Sequence, residues 1–200
     1  MSARASLMAA ARAVGVESRA PALLDYIEAF ARWNQRINLS AARTPDEITE
    51  HVVDCLALVP HVPEGARVVD IGSGGGLPGI VLAAARTDLQ VTCVEPIHKK
   101  SAFLRQAGRD LTLRLTVLTQ RVEGLERAYE VAVSRATFDL TTWLDVGLDL
   151  VVPGGIVLAM EGLEQIDLPA NATRHSYRLR DRTRAIIVRT SPSPQTPPAT

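Results

Sequence analysis

The chain has 200 residues, 46% of them hydrophobic, and its 22 Lys and Arg side chains balance 22 Asp and Glu side chains. This size predicts one compact domain, and a net charge of zero excludes attraction of the whole molecule to nucleic acid, so such binding would need a local patch. The most apolar stretch, residues 146–160, is interrupted by Asp149, Pro153 and glycines and is too short to span a bilayer. Residues 1–13 lack the apolar core of an export signal, so we expect a cytoplasmic protein without a membrane helix.

The first 62 residues are predicted to form a helical extension. Pro21 opens a run in which apolar residues recur on one helix face as far as Phe30. The segment Thr44-Pro-Asp-Glu47 is a capping box with proline at the first helical position, and it predicts a helix that ends before Pro60.

Residues 63–190 change to short apolar runs separated by helical segments. Alternation of this kind predicts an α/β fold with a Rossmann-like, doubly wound and mostly parallel sheet. Residues 177–179 and 185–188 are predicted to close one edge as an antiparallel hairpin, and residues 191–200, rich in Pro and Ser, are predicted to be a disordered tail. The predicted strands are Val68–Ile71, Val91–Val94, Leu115–Leu118, Val131–Ser134 and Ile156–Met160, and the predicted helices of this part are Leu77–Arg86, Ile97–Arg109 and Phe138–Leu150.

The cysteines and histidines do not predict a reactive or metal-binding site, and the arginines allow two interpretations. Cys55 and Cys93 fall in a predicted helix and a buried strand and are typical of reduced core thiols. His51 and His61 have no further ligand at metal spacing, so no metal site is predicted. Near the end of the chain, six arginines accompany a single acid, and they form either a solvated face or a patch for nucleic acid. These arginines are Arg174, Arg178, Arg180, Arg182, Arg184 and Arg189.

The most informative segment is the glycine-rich run from Asp70 to Gly79, which follows a predicted strand and precedes a predicted helix. Glycines there allow a ligand to approach the backbone at the carboxyl end of the strand, where nucleotide-like ligands bind in sheets of this class. Gly74, Gly76 and Gly79 also satisfy the dinucleotide pattern G-x-G-x-x-G, which by itself is a weak signal.

Charge favours S-adenosylmethionine over a dinucleotide as the ligand of this loop. A carboxylate at Asp70 would repel a pyrophosphate but suits the ammonium and sulfonium charges of S-adenosylmethionine. The dinucleotide register also fails, because Leu77 stands in the sixth position counted from Gly72. Glu95 ends the next strand, where one carboxylate can accept both ribose hydroxyls. An NAD-dependent oxidoreductase is the alternative from a different class.

Several further blocks between Trp33 and Met160 accompany the glycine run. They are Trp33-Asn34 with Asn38-Leu39-Ser40, His51 with Asp54, the continuation Leu77-Pro-Gly-Ile80, Arg121-Val122-Glu123 and Ser134-Arg135-Ala136. In this order they resemble the bacterial 16S rRNA (guanine-N7) methyltransferase G family, also called glucose-inhibited division protein B.

The resemblance implies a class I S-adenosylmethionine-dependent methyltransferase that uses S-adenosylmethionine as donor and no metal. It implies methylation at N7 of a guanine, guanine 527, in the 530 loop of 16S rRNA, on the rRNA or a precursor of the small ribosomal subunit, by a monomer. The candidate catalytic residues on the substrate side are Arg135, Asn38, His51 and Asp54. The candidate donor-binding residues are Asp70, Gly72, Ser73, Gly74, Gly76, Leu77, Glu95, Val122, Glu123 and Arg135.

The chemistry of this reaction makes few demands on the protein. Guanine N7 has a free lone pair and no proton, so its methylation needs no general base and no covalent enzyme intermediate. Positioning is then expected to dominate the catalysis, with the target base unstacked from the RNA and held against an aromatic ring such as Phe138.

Two positions depart from the family pattern. The chain has Glu161-Gly162 where members usually have Lys-Gly after the fifth strand, and Glu50 where an arginine usually precedes the histidine. Each change reverses a charge that is expected to face phosphate, and the arginines of residues 174–189 together with Arg135 are the available substitutes. A methyltransferase of the same fold that acts on a small molecule or protein, and a donor-binding protein without catalysis, are therefore retained as alternatives.

Overall fold

The computed structural model describes residues 2–135, 137–161 and 166–193. Ala136, Gly162 and residues 194–200 of the predicted tail lie outside these ranges. The helices among the described residues are α1 (Ala3–Ala13), α2 (Ala20–Ile37), α3 (Pro45–Leu56), α4 (Gly79–Ala85), α5 (His98–Asp110) and α6 (Leu140–Leu148). The strands are β1 (Arg67–Ile71), β2 (Gln90–Val94), β3 (Leu115–Leu118), β4 (Tyr129–Ser134), β5 (Val151–Glu161), β6 (Ala172–Leu179) and β7 (Arg182–Thr190).

The strands form one sheet in the order β3-β2-β1-β4-β5-β7-β6. Strands β1 to β5 are parallel, whereas β7 pairs antiparallel with both β5 and β6. This is the predicted doubly wound sheet with an antiparallel edge. Its strand order reverses between β1 and β4, and in such sheets the ligand crevice lies at the carboxyl ends of the strands next to this point.

Hydrogen bonds tie the three strand ends at this reversal together. The Ser134 hydroxyl at the end of β4 donates to the Ile71 carbonyl at the end of β1 (2.8 Å). The Gly72 amide, one residue further on, donates to the Val94 carbonyl at the end of β2 (2.9 Å). The ends of β1, β2 and β4 therefore form a fixed platform for the loops that follow them.

The N-terminal helices form an outer layer on one face of the sheet. The predicted capping box is present at α3, where the Thr44 hydroxyl accepts from the Glu47 amide (3.2 Å) and the Glu47 carboxylate accepts from the Thr44 amide (3.4 Å). Apolar residues of α1, α2 and α3 belong to the same buried cluster as those of β1, α4 and α5. Helix α6 covers the opposite face with a second cluster built around Trp143 and Leu144.

Strand β5, which lies between β4 and β7, is longer than its predicted core. Strand β5 extends back to Val151, through Pro153 and two glycines, because its pairing with β4 shifts register between Tyr129 and Val131. Such an irregularity accommodates residues that break a regular strand. No described helix is long and apolar enough to cross a membrane.

Candidate active site

A cleft of about 400 Å³ lies over the carboxyl ends of β1 and β2. The glycine loop after β1 forms its floor, and the segment after β2 forms one wall. Residues just after α2, at the start of α5 and in the loop after β4 complete it. The lining residues include Gly72, Ser73, Gly74, Leu77, Glu95, Ile97, Lys100, Arg135 and Thr137, together with Leu39 and Ser40.

Glu95 holds the two sides of the cleft together. Its side chain is almost fully buried, its Oε2 accepts from the Gly74 amide (2.8 Å), and its Oε1 accepts from the Ile97 amide (2.9 Å). Each carboxylate oxygen retains a further lone pair for an incoming donor. Glu95 can therefore fix the loop and accept ribose hydroxyls at the same time.

The glycine loop presents bare backbone to the cleft. Gly74 has a φ of +56°, and a Cβ atom built there would have the carbonyl oxygens of Gly72 and Leu39 as its nearest neighbours, at 3.9 and 4.0 Å. The next residue has no such space, because a Cβ at Gly75 would lie 2.3 Å from the ring of Phe30. The Tyr26 hydroxyl also donates to the Gly75 carbonyl (2.6 Å), so α2 supports the loop from behind.

Asp70 lies beneath the loop, outside the lining of the cleft. It is fully buried, and its Oδ2 accepts from the Gly79 amide at the start of α4 (2.9 Å). Its Oδ1 has no hydrogen-bond partner among the described residues. Burial raises the pKa of this carboxyl group to about 7. Any attraction of Asp70 to a cationic ligand would therefore act through the loop.

A second cavity of about 430 Å³ opens beside the first, at the carboxyl ends of β4 and β5. It is lined on one side by aromatic residues and on the other by polar residues of α3, β6 and β7. Its lining includes His51, Asp54, Phe138, Trp143, Tyr177 and Arg184. Arg135 lines both cavities, and its side chain therefore stands in the wall between them.

A polar network crosses the second cavity. The Asp54 side chain is buried, its Oδ1 accepts from the Tyr177 hydroxyl (2.5 Å), and its Oδ2 accepts from Arg184 Nη2 (3.2 Å). One turn earlier on α3, the Nδ1 atom of His51 lies 3.3 Å from Nη1 of Arg135. The structure thus brings together three of the four predicted substrate-side residues, His51, Asp54 and Arg135.

Besides Asp70, four predicted site residues are absent from the described lining of both cavities: Gly76, Asn38, Val122 and Glu123. Asn38 ends α2 in the left-handed conformation (φ 52°) and is exposed, and its Oδ1 accepts from Arg43 at 3.4 Å. Val122 packs against the apolar cluster of α6, and Glu123 is exposed. Their contacts with donor or substrate stay predictions.

The two acids that depart from the family pattern are both paired with arginines of the terminal hairpin β6–β7. Both oxygens of Glu161, whose side chain is 1% exposed, accept from Arg174 at 2.7 Å. Glu50 forms an ion pair with Arg180. Both acids are therefore neutralised within the fold, because the antiparallel hairpin returns an arginine to each of them. That they face phosphate stays a prediction.

The arginine cluster is likewise largely neutralised. Besides Arg174 and Arg180, Arg184 pairs with Asp54 and Arg189 pairs with Asp145 (2.6 Å). Within the described ranges, Arg178 and Arg182 are the members of the cluster with no carboxylate partner. The hairpin is therefore mainly an ion-paired face of the fold.

Several cavity residues were not predicted from the sequence. Ile97 is 44% exposed, more than any other large hydrophobic residue described, and it lines the cleft over β1 and β2. Its signal was present, since an apolar residue follows Glu95-Pro96 directly at the end of a strand. Tyr177 and Arg184 carry no local signal, because their partner Asp54 is more than 120 residues away in the chain.

The described residues contain no cluster of three or more His, Cys, Asp or Glu side chains that could hold a metal ion. The ring of His61 contacts that of His175, with centroids 4.7 Å apart. Cys55 and Cys93 are buried as free thiols, and burial raises the pKa of both. Neither cysteine is suited to act as a nucleophile, because the thiolate is disfavoured.

Comparisons with known proteins agree with this geometry. A solved methyltransferase from Pyrococcus furiosus matches with a TM-score of 0.58 at 14% identity, covering 72% of this chain and 84% of that chain, and it confirms the predicted fold class. A ribosomal RNA small subunit methyltransferase G from Burkholderia ambifaria is 44% identical over 155 residues, which are 72% of this chain and 68% of that protein.

A second relative of the same name, from Burkholderia pseudomallei, is 42% identical over 174 residues, covering 80% of this chain and 75% of that protein. A family model described as rRNA small subunit methyltransferase G matches residues 19–185, which span both cavities. The resemblance seen in the sequence motifs is thereby confirmed: the chain belongs to the rRNA small subunit methyltransferase G family.

Proposed function

We propose that the chain transfers the methyl group of S-adenosylmethionine to N7 of a guanine in the 530 loop of 16S rRNA. Its family makes it a methyltransferase of small-subunit rRNA. The observation that carries the finer proposal is the pair of cavities that meet at Arg135. One cavity has the groups that an adenosyl donor needs, and the other has room for a base.

The donor fits the first cavity through groups of three kinds. Glu95 is placed to accept the ribose hydroxyls, and the exposed side chain of Ile97 offers an apolar surface to the adenine ring. The open backbone at Gly74 leaves room for the methionine end. A donor with a positive charge and no phosphate also suits a site with two buried carboxyl groups, Glu95 in its lining and Asp70 beneath the loop.

The acceptor fits the second cavity. Phe138 stacks on Trp143 with ring centroids 5.9 Å apart and an interplanar angle of 19°. An aromatic pair of this kind supports an unstacked nucleobase, because stacking on a side chain replaces part of the stacking lost in the RNA. The Trp143 indole itself is held by donation to the Leu158 carbonyl (2.9 Å), which makes the platform rigid.

The transfer is a direct displacement. The N7 lone pair forms a bond to the methyl carbon as the carbon–sulfur bond breaks, and its electron pair stays on sulfur. The positive charge thus moves from the sulfonium to the methylated base, and no proton is transferred. Because no general base is needed, the contribution of the protein is to hold donor and base in line.

We further propose that the protein acts as a monomer in the cytoplasm. Obligate subunit interfaces expose large apolar patches when separated. The described surface exposes a large hydrophobic side chain only at Ile97, which the donor is expected to cover.

The test is methyl transfer in vitro from labelled donor to small ribosomal subunits that lack the modification, with the product located by mass spectrometry of the 16S rRNA. Glu95→Ala should weaken donor binding by about 1 to 3 kcal/mol, because two ribose hydroxyls lose a charged acceptor. Calorimetric titration measures this loss, with NAD as the competing ligand. No label in rRNA, or tight binding of NAD, would contradict the proposal.

A further inference from the structure

The guanidinium of Arg135 is held in place by the imidazole of His51. Arg135 follows β4, stands between the two cavities, and reaches His51 of α3 at 3.3 Å. We propose that His51 is a positioning residue that keeps the Arg135 guanidinium in the wall between donor and base. Asp54, Tyr177 and Arg184 support His51 from the side away from Arg135. This inference rests on the proposed function, because it assigns the role of Arg135 in that reaction.

The contact determines the protonation state of His51. An arginine side chain can only donate hydrogen bonds, so the Nδ1 atom of His51 must be the acceptor. The ring is therefore neutral and carries its proton on Nε2. A second proton on Nδ1 would turn the acceptor into a donor and place two cations side by side.

Asp54 lies beside this contact and is held in place by the terminal hairpin. Both of its oxygens are engaged, one by the Tyr177 hydroxyl and the other by Arg184, and its side chain is 4% exposed. It lies one turn after His51 on α3. Because Tyr177 belongs to β6 and Arg184 to β7, the network joins the antiparallel edge of the sheet to the wall of the active site.

Charged groups from every neighbouring element bear on His51. Arg135 and Arg184 oppose its protonation, whereas Asp54 and Glu50 on its own helix favour it. Half-burial has the largest effect, and together these influences hold the pKa of His51 below its ordinary value. The contact with Arg135 is therefore present at neutral pH and is lost as the pH falls through this lowered pKa.

Nitrogen NMR of the intact protein tests the tautomer without any assay of activity. The chain has four histidines, and the spectrum of a His51→Asn variant assigns the His51 signals. We expect a neutral ring with a protonated Nε2 and a bare Nδ1 at pH 7. A proton on Nδ1, or a charged ring at that pH, would overturn the proposal while leaving the proposed function intact.

Methyl transfer at saturating donor tests the positioning role. His51→Leu removes the acceptor and should lower kcat about ten- to hundred-fold at pH 7.5, because Arg135 is misplaced. His51→Asn keeps an acceptor close to the Nδ1 position and cannot titrate, so it should retain more activity than His51→Leu and lose the fall in kcat at acidic pH. Equal activity of His51→Leu and wild type, or the same acidic fall in His51→Asn, would refute the role.

Tyr177→Phe tests whether Tyr177 and Asp54 influence His51. Without the tyrosine hydroxyl the charge on Asp54 is less dispersed, so the pKa of His51 and the acidic fall in kcat should both move to higher pH. Tyr129→Phe is the matched control, since the Tyr129 hydroxyl has no hydrogen-bond partner among the described residues and lies at the other end of β4. An unchanged His51 titration in Tyr177→Phe would remove Tyr177 and Asp54 from the proposal.

Discussion

Asp70 shows at the residue scale how burial changes the part that a predicted site residue can play. The sequence places a carboxylate at the tip of β1, and the structure keeps it there but turns it under the glycine loop against Gly79. A Cβ at Gly79 would lie 2.6 Å from both Asp70 Oδ2 and Cys93 Sγ, so α4 packs directly over this carboxyl group. Asp70 consequently links the stability of the loop to pH.

The pKa of Asp70, raised by burial to about 7, predicts the direction of that dependence. An unfolded aspartate titrates near 3.9, so between about pH 4 and pH 7 the folded state binds the extra proton. The free energy of unfolding should therefore fall as the pH rises through this window, by up to about 1.4 kcal/mol per pH unit. Asp70→Asn should abolish this contribution while keeping an acceptor for the Gly79 amide. Urea unfolding at several pH values checks it, and parallel pH dependence in the two proteins would contradict it.

Gly74→Ala tests whether Gly74 is needed only for its backbone conformation or also for donor binding. The positive φ should cost about 1 to 2 kcal/mol of stability for any residue with a Cβ. The new methyl group would also project into the space left for the donor. Gly15→Ala is the matched control, because Gly15 has a φ of +74° and open space but lies far from the cleft. Both variants should lose similar stability, yet only Gly74→Ala should bind donor more weakly in calorimetry.

At the element scale, the β6–β7 hairpin neutralises an acid, Glu161, that stands where the family usually has a lysine. Glu161 ends β5 and is neutralised by Arg174 across the antiparallel edge, so replacing it acts on the fold before it can act on RNA. Glu161→Lys should destabilise the protein by about 3 to 5 kcal/mol, because it leaves two cations in a buried site. Thermal unfolding measures the loss.

The double variant Glu161→Lys with Arg174→Glu is its control. It restores opposite charges at the same two positions. The double variant should therefore lose less stability than the sum of the losses of the two single variants in a double-mutant cycle. Additive losses would mean that Glu161 and Arg174 do not stabilise the fold as a pair.

The elements themselves were largely predictable. Strand β3 was predicted with the observed bounds, and the capping box placed the start of α3 correctly, because both depend on residues a few positions apart. The Glu95 side chain was likewise placed by its position at the end of a strand. The pairing of Glu161 with Arg174 was not predictable, since it depends on where an antiparallel hairpin docks. The link between Asp54 and Tyr177 was missed for the same reason, because it spans 123 residues of chain.

The helical extension and the sheet form one structure at the scale of the whole molecule. Leu23 and Phe30 of α2 and Val52 of α3 are fully buried in the cluster that also holds Val68 of β1. Phe30 meets Phe103 of α5 edge to face, with centroids 5.9 Å apart. The helices thus cover one face of the sheet and at the same time support the glycine loop through Tyr26.

Stepwise truncation from the N-terminus tests this view. Removal of residues 1–15 takes away α1, which buries Leu7 and Ala11, packs mainly against α3 and supplies none of the described lining residues of the cleft over β1 and β2. That protein should be less stable yet still bind donor. Removal of residues 1–62 exposes the whole face of the sheet and leaves the Gly75 carbonyl without its tyrosine partner, so cooperative unfolding and dispersed NMR signals should both be lost. If residues 63–200 alone unfolded cooperatively and bound donor, the N-terminal helices would be an attachment to a self-sufficient domain, and their buried contacts with the glycine loop would have no part in forming the site.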